Sequence, residues 1–200
     1  MYNIIMILLV DNTKDIDQAK MTPIIIKIIE NLNMKYIIVS NKTDLINNLI
    51  NIRGKVKGII LSGGPLCLSE NCNYNDVSKN ILTLTIFNNV PALGICFGYQ
   101  IISNMYGGKI SKLKKRHTGV ELIKIINKSD LIGETELSVF YSHGDYVSSI
   151  PYGFQIIRDS FNNIVGIESK EKKMYGYQFH PEGTIDGQQI LLNFLEKYCK

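Results

Sequence analysis

Val90-Pro91-Ala92-Leu93-Gly94-Ile95-Cys96-Phe97-Gly98-Tyr99-Gln100 decides how this chain folds. A short apolar run, Val90 to Leu93, leads into a cysteine set between two glycines. A helical pattern, Ile101 to Tyr106, follows directly. A strand that turns into a helix through a glycine-flanked cysteine describes a nucleophile elbow. The glycines permit a tight turn that a Cβ would block. The turn pushes the sulfur of Cys96 into the open at a helix N-terminus, where unpaired N–H groups and the helix dipole favour negative charge. A thiolate is the reactive form, so the geometry suits a nucleophile. The alternative is a buried structural cysteine at a strand end, since free cysteines are among the most buried residues.

Working outward, apolar runs alternate with helical patterns through the first half. Ile4 to Val10, Tyr36 to Val39, Val56 to Leu61 and Ala92 to Ile95 read as strands. Thr22-Pro23 opens a helix, with Thr22 as the cap and Pro23 in the first turn. Asp44 to Ile52 and Asp76 to Phe87 read as two more helices, and the elbow helix stops near Gly107-Gly108. Near-continuous apolar strands alternating with helices predict a mostly parallel central sheet with helices on both faces.

The second half changes character. Val120 to Ile126, Ser138 to Tyr141, Gly153 to Arg158 and Ile164 to Ile167 read as strands joined by polar turns. They predict an antiparallel strand extension to an α/β fold. Met174 to Phe179 is a further strand, and Ile185 to Lys197 a closing helix. No repeat or linker divides the 200 residues, so one domain over 1–200 is expected.

The net charge of +4 is modest, and no basic residues interleave with aromatics along one face, so nucleic acid is not an expected partner. The basic cluster is Lys112, Lys114, Lys115, Arg116 and His117, read as a solvated loop, with contact to an acidic partner or a phosphorylated ligand as the alternative. The apolar start lacks a basic flank and a cleavage site, and Asp11-Asn12 ends it. No run reaches the ~18 apolar residues of a membrane span, so no membrane is expected. Cys67, Cys72, Cys96 and Cys199 fit no zinc spacing and no disulfide framework. The expected location is the cytoplasm, with reduced thiols.

A cysteine nucleophile needs a base, and the base an orienting group. Of the three histidines, His117, His143 and His180, the last stands in Gln178-Phe179-His180-Pro181-Glu182, just after an apolar strand. Strand ends are where a parallel α/β sheet gathers its reactive residues. Glu182 is close enough in sequence to hold the imidazole. Leu61-Ser62-Gly63-Gly64-Pro65 ends the third strand, and a Gly-Gly turn there can aim a backbone N–H at an oxyanion. Read separately, His-Pro-Glu and Gly-Gly are ordinary polar turns.

Together these pieces resemble the class I, or triad, glutamine amidotransferases. The likeness rests on G-x-C-x-G-x-Q at Gly94 to Gln100, F-H-P-E at Phe179 to Glu182 and S-G-G-P at Ser62 to Pro65, and runs from about Lys57 to Leu195. It implies that Cys96 attacks the side-chain amide of L-glutamine, that His180 moves the proton and that Glu182 orients His180. It implies an oxyanion hole from the N–H groups of Gly64 and Phe97, and a hold on the amino-acid end by Gln100 and by the backbone near Gly144 and Asp145. It implies no cofactor and no metal.

Tyr141-Ser142-His143-Gly144-Asp145-Tyr146-Val147 is similar to the glutaminase part of GMP synthetases, which suggests that His143 faces a synthetase; a solvated loop histidine is the alternative. Val10-Asp11-Asn12-Thr13-Lys14 and Gly183-Thr184-Ile185-Asp186 depart from that pattern. An ATP-pyrophosphatase domain does not fit within 200 residues, so the ammonia acceptor is expected to be a separate synthetase subunit. The alternatives are a stand-alone γ-glutamyl hydrolase and the glutaminase subunit of an anthranilate or aminodeoxychorismate synthase.

Overall fold

The computed structural model describes residues 6–13, 20–40, 45–70 and 74–200, without the side chains of 45–48 and 74–76. The expected residues Ile4, Ile5, Lys14, Asp44 and Cys72 lie outside it. The elements in chain order are β1 (Met6–Val10), α1 (Thr22–Asn31), β2 (Lys35–Val39), α2 (Leu45–Ile52), β3 (Val56–Leu61), α3 (Tyr74–Ile86), β4 (Ala92–Ile95) and α4 (Phe97–Met105). Then come β5 (Ile110–Lys124), β6 (Glu136–Val147), β7 (Gln155–Arg158), β8 (Ile164–Ser169), β9 (Met174–Tyr177) and α5 (Ile185–Tyr198).

The main sheet runs β2-β1-β3-β4-β9-β8-β7. Its first five strands are mutually parallel, while β8 and β7 extend it antiparallel. Successive side chains of a strand point to opposite faces, and two cores follow from that alternation. On one face Ile7, Leu9, Ile60, Leu93, Ile95 and Tyr175 meet α1 and α5 through Ile25, Ile29, Leu191 and Phe194. On the other, Leu8, Val10, Ile59, Leu61 and Ala92 meet α3 and α4 through Leu84, Tyr99 and Ile102. Both faces of β1, β3 and β4 are covered, which is why these strands read as unbroken apolar runs.

Two expectations are corrected. Thr22 does not cap α1: Met21 occupies the N-cap without a side-chain bond. The Thr22 hydroxyl instead donates to the buried Asp11 carboxylate at 2.9 Å, and a charged acceptor makes the stronger hydrogen bond. The basic cluster 112–117 is not a loop. It lies in β5, which pairs with β6 as a separate two-stranded ribbon. Most of β5 is exposed, so its lysines give no apolar alternation to read. Pairing breaks between Lys112, opposite Asp145, and His117, opposite His143. Leu113 to Arg116 therefore bulge out against Gly144 alone.

The departures noted at the two chain regions are structural ties. Asn12 donates from its backbone to Ser62 Oγ at 2.9 Å and from Nδ2 to the Ser62 carbonyl at 2.8 Å. Thr184 caps α5 by accepting from the Gly187 N–H at 3.1 Å, and its hydroxyl donates to the Ser138 carbonyl at 2.7 Å. Asp186 accepts from the Ser138 N–H at 2.8 Å. Among the described residues no helix is long and apolar enough to cross a membrane.

Candidate active site

Parallel α/β sheets place ligands beyond the carboxyl ends of their strands. Here β1 leads to Asn12, β3 to Ser62, Gly63 and Gly64, β4 to Cys96, and β9 to Gln178, Phe179 and His180. Cys96 links β4 to α4 with φ 49 and ψ −100. Left-handed φ is strained for a residue with a Cβ, and the close packing around it explains how it is held. A Cβ on Gly98 would stand 2.4 Å from the Leu61 carbonyl oxygen, so α4 can approach β3 only through a glycine. The Cys96 N–H donates to the Tyr177 carbonyl at 2.8 Å, pinning the elbow to β9.

His180 follows β9 and opens a single 3-10 turn, Pro181–Gly183. Its N–H donates to the Phe140 carbonyl at 2.7 Å, which ties it to the ribbon. A Cβ on Gly63 would lie 2.5 Å from His180 Cε1, so the S-G-G-P turn makes room for the ring. His180 Nδ1 meets Glu182 Oε1 at 2.9 Å, and both side chains are buried. Burial alone would lower the basicity of His180. Hydrogen bonding to the Cys96 sulfur and to the Glu182 carboxylate outweighs it and pushes the imidazole up to about 10. The ring sits between two groups that favour its charged form.

The N–H groups of Gly64 and Phe97 make no hydrogen bond to another described residue. Both residues line a cavity beside Cys96 together with Gln100, Gly144, Asp145 and Arg116. This cavity is about 10 Å³, room for one water at most. His180 and Glu182 line a second cavity of about 460 Å³, which shares Gly64, Arg116 and Ser142 with the first. A third, of about 450 Å³, lies across the ribbon beside His117, Tyr141 and Phe161 and reaches neither Cys96 nor His180.

Gln100 and Asp145 are largely occupied by the protein itself. Gln100 Nε2 donates to the Asp145 carbonyl at 2.8 Å and to Gln178 Oε1 at 3.2 Å. The Asp145 carboxylate accepts from Ser69 Oγ at 2.6 Å and from the Ser69 N–H at 2.8 Å, bracing the loop after β3 against the ribbon. His143 is not a solvated loop residue: it is buried in β6. Its Nδ1 lies 2.8 Å from the Asp145 carbonyl. A carbonyl only accepts, so Nδ1 carries the proton, and Nε2, which has no partner among the described residues, keeps its lone pair. Burial pushes His143 down to about 4, against that bond and with help from the neighbouring His117, His180 and Arg116. It is neutral at pH 7.

Three residues at the site carried no sequence signal of a role. Gln178 Nε2 approaches Cys96 Sγ at 3.8 Å. Cys96 Sγ in turn faces the Ser142 carbonyl at 3.9 Å. Arg116 Nη2 donates to that same carbonyl at 2.9 Å and to Ser142 Oγ at 3.0 Å. Gln178 stands two residues before His180 in the sequence. Only the ribbon register brings in the other two. Among the described residues no group of histidine, cysteine, aspartate or glutamate could hold a metal ion.

An α/β sheet with a thiol at a strand–helix elbow and a buried histidine–carboxylate pair at the neighbouring strand end marks a class of α/β proteins. Within it the model of the class-I glutamine amidotransferases matches residues 9–198, and the chain belongs to that family. It is 40% identical over 148 residues to a glutamine-hydrolysing GMP synthase of Spiroplasma kunkelii, a match covering 72% of this chain and 28% of that protein. A GMP synthase of Aquifex aeolicus is 41% identical over 150 residues, with the same coverage. The chain thus spans under a third of the length of these relatives. In fold it is similar to a Thermoplasma acidophilum protein provisionally assigned as part of a GMP synthase, with a TM-score of 0.79 at 24% identity, covering 98% of this chain and 94% of that one.

Proposed function

We propose that this chain hydrolyses the side-chain amide of L-glutamine through Cys96 and hands the ammonia to a separate GMP synthetase-like subunit. The observation that carries the reading is the buried array of Cys96, His180 and Glu182 beside two backbone N–H groups that no other described residue takes up.

The Cys96 thiolate attacks the amide carbon, forming a C–S bond while the carbonyl electrons move onto oxygen. The N–H groups of Gly64 and Phe97 receive that oxyanion; one such donor is worth about 2.7–4 kcal/mol of barrier. The His180 imidazolium gives its proton to the departing nitrogen, the C–N bond breaks, and ammonia leaves a glutamyl thioester. Neutral His180 then takes a proton from water as the water attacks. The C–S bond breaks, and glutamate and the thiolate are restored. Glu182 stabilises the imidazolium and fixes the ring.

GMP synthase relatives support the acceptor. Most of their length lies outside the match, which leaves room for a synthetase part. The cytoplasm, where thiols stay reduced, is the compartment that suits Cys96. The test is glutamate release from L-glutamine by the purified chain, alone and with a candidate synthetase, beside Cys96→Ala. Cys96-dependent release that the synthetase accelerates is expected. Absence of release in both settings, with no acyl adduct on Cys96, refutes the reading.

A further inference from the structure

We propose that Cys67 is a resolving thiol for Cys96: a peroxide oxidises the nucleophile, and Cys67 captures it as a disulfide that switches the site off. This modification lies beyond the glutamine reading. It needs only the reactive thiol, whatever amide the site cleaves.

Both cysteines line one cavity, Cys67 from the loop after β3 and Cys96 from the elbow. The cavity holds one water at most, so little separates its walls. The walls are also tied together. The Gln100 N–H donates to the Cys96 carbonyl at 3.0 Å, one helical turn on. The Gln100 side chain holds the Asp145 carbonyl, and the Asp145 carboxylate holds Ser69, two residues after Cys67. A disulfide sets its two Cα atoms about 4.4–6.8 Å apart. The elbow is buried and pinned to Tyr177. Cys67 is half-buried and stands outside any helix or strand, so closure falls to its loop.

The two thiols differ in chemistry. Cys96 faces the His180 imidazolium as a thiolate, the form that attacks a peroxide. Burial pushes the Cys67 thiol up, with Asp145 and Glu70 adding to it and Lys112 and Arg116 opposing. Cys67 therefore keeps its proton at pH 7 and reacts second. Cys199 is no competitor. Its sulfur packs on Gly58 near the start of β3, whereas the site lies beyond that strand's end.

The steps balance with hydrogen peroxide as oxidant. Cys96 Sγ attacks one peroxide oxygen, the O–O bond breaks, and the other oxygen leaves as water with a proton from His180. This leaves a sulfenic acid on Cys96. The Cys67 sulfur then attacks the Cys96 sulfur. The S–S bond forms, the S–O bond breaks, and the hydroxide leaves as water with the Cys67 proton. Two thiols are oxidised by two electrons, and the peroxide is reduced to two waters. The bridge takes the nucleophile out of use, and a dithiol restores it by exchange.

The test treats the full chain with hydrogen peroxide, blocks the remaining thiols and maps the cysteines by mass spectrometry. The expected product is a pair of peptides joined through Cys67 and Cys96, two hydrogens lighter than the separate peptides, which dithiothreitol parts. Replacing Cys72 by serine should leave that link in place. A tethered thiol acts at an effective concentration of about 1 mM, so it outruns a second peroxide at ~0.1 mM. Cys67→Ser should then accumulate Cys96 sulfinic acid about tenfold faster than the parent, beyond recovery by dithiothreitol. Equal sulfinic acid formation in parent and variant overturns the assignment. So does a Cys67–Cys72 link in place of Cys67–Cys96, or a Cys96 that peroxide leaves unmodified.

Discussion

Glu182→Gln removes one charge from the site and changes little else in shape. The carboxylate lies 2.9 Å from His180 Nδ1, and its second oxygen is buried without a partner among the described residues. An opposite charge at this range shifts a titrating group by about 1–3 units. His180 stands raised to about 10, with Cys96 and Glu182 both lifting it. The variant should therefore bring His180 down by about 1–3 units, or roughly 1.4–4 kcal/mol of lost imidazolium stabilisation. There is a second loss. A glutamine NH₂ facing Nδ1 selects the tautomer with its proton on Nε2, leaving no base toward the sulfur; a comparable change in a serine triad costs about 10⁴ in turnover. The expected fall in kcat/KM for glutamine is about 10²–10⁴. The titration is read from the His180 ring carbon by NMR, and turnover from glutamate release. Stability gives an independent check. Because His180 is raised above its usual value, its contribution is complete below pH 6.5 and is lost as pH rises through about 10. The parent should lose more stability than the variant between pH 7 and 10. An unchanged His180 titration with turnover within twofold would refute the assignment of Glu182.

His143 works in the opposite sense: held down to about 4, it contributes stability above pH 6.5 that is lost as pH falls through about 4. His143→Asn should flatten that acid loss by up to about 3 kcal/mol, read from denaturant midpoints at pH 7 and pH 4.5. Asp145→Asn weakens two bonds to Ser69 and should cost about 1–2 kcal/mol, lowering Tm by about 2–8 °C; an unchanged Tm would show that the brace is not held by charge. Cys96→Gly should be more stable than Cys96→Ala by about 1–2 kcal/mol, because φ 49 strains any residue with a Cβ; the reverse order in thermal unfolding would mean that the elbow relaxes once the sulfur is gone.

The parallel half of the fold was readable because both faces of its strands are buried. A strand such as Ile59-Ile60-Leu61 has nowhere to place a polar side chain. The elbow was readable for a different reason. Its glycines answer to close backbone contacts, Gly94 against the Gly98 carbonyl and Gly98 against the Leu61 carbonyl, and such contacts admit no other residue. The ribbon hid itself. With Val120 and Leu122 exposed and lysines around them, β5 has no buried face to print a period of two, and its break at 113–116 has no local signature. Thr22 looked like a helix cap because the competing acceptor, Asp11, lies 11 residues earlier in the chain.

The same division separates the chemistry from its selectivity. Cys96, His180 and the two N–H donors are placed by backbone: a strained elbow, a strand end, a glycine turn. Short motifs encode backbone well, so these residues could be picked out at their positions in the chain. Gln178 is placed by the pairing of β9 with β4, and Ser142 and Arg116 by the β5–β6 ribbon, with contacts made across 26 to 82 residues of sequence. Their identities carry little local information, and two of the three, Ser142 and Arg116, meet the site only through the ribbon. Amide chemistry at the elbow needs only the first set. A choice among amides must come from groups that surround the rest of the substrate, and those belong to the second set. Substitutions in the ribbon should therefore change which amide is cleaved, while substitutions at the strand ends change whether one is cleaved at all.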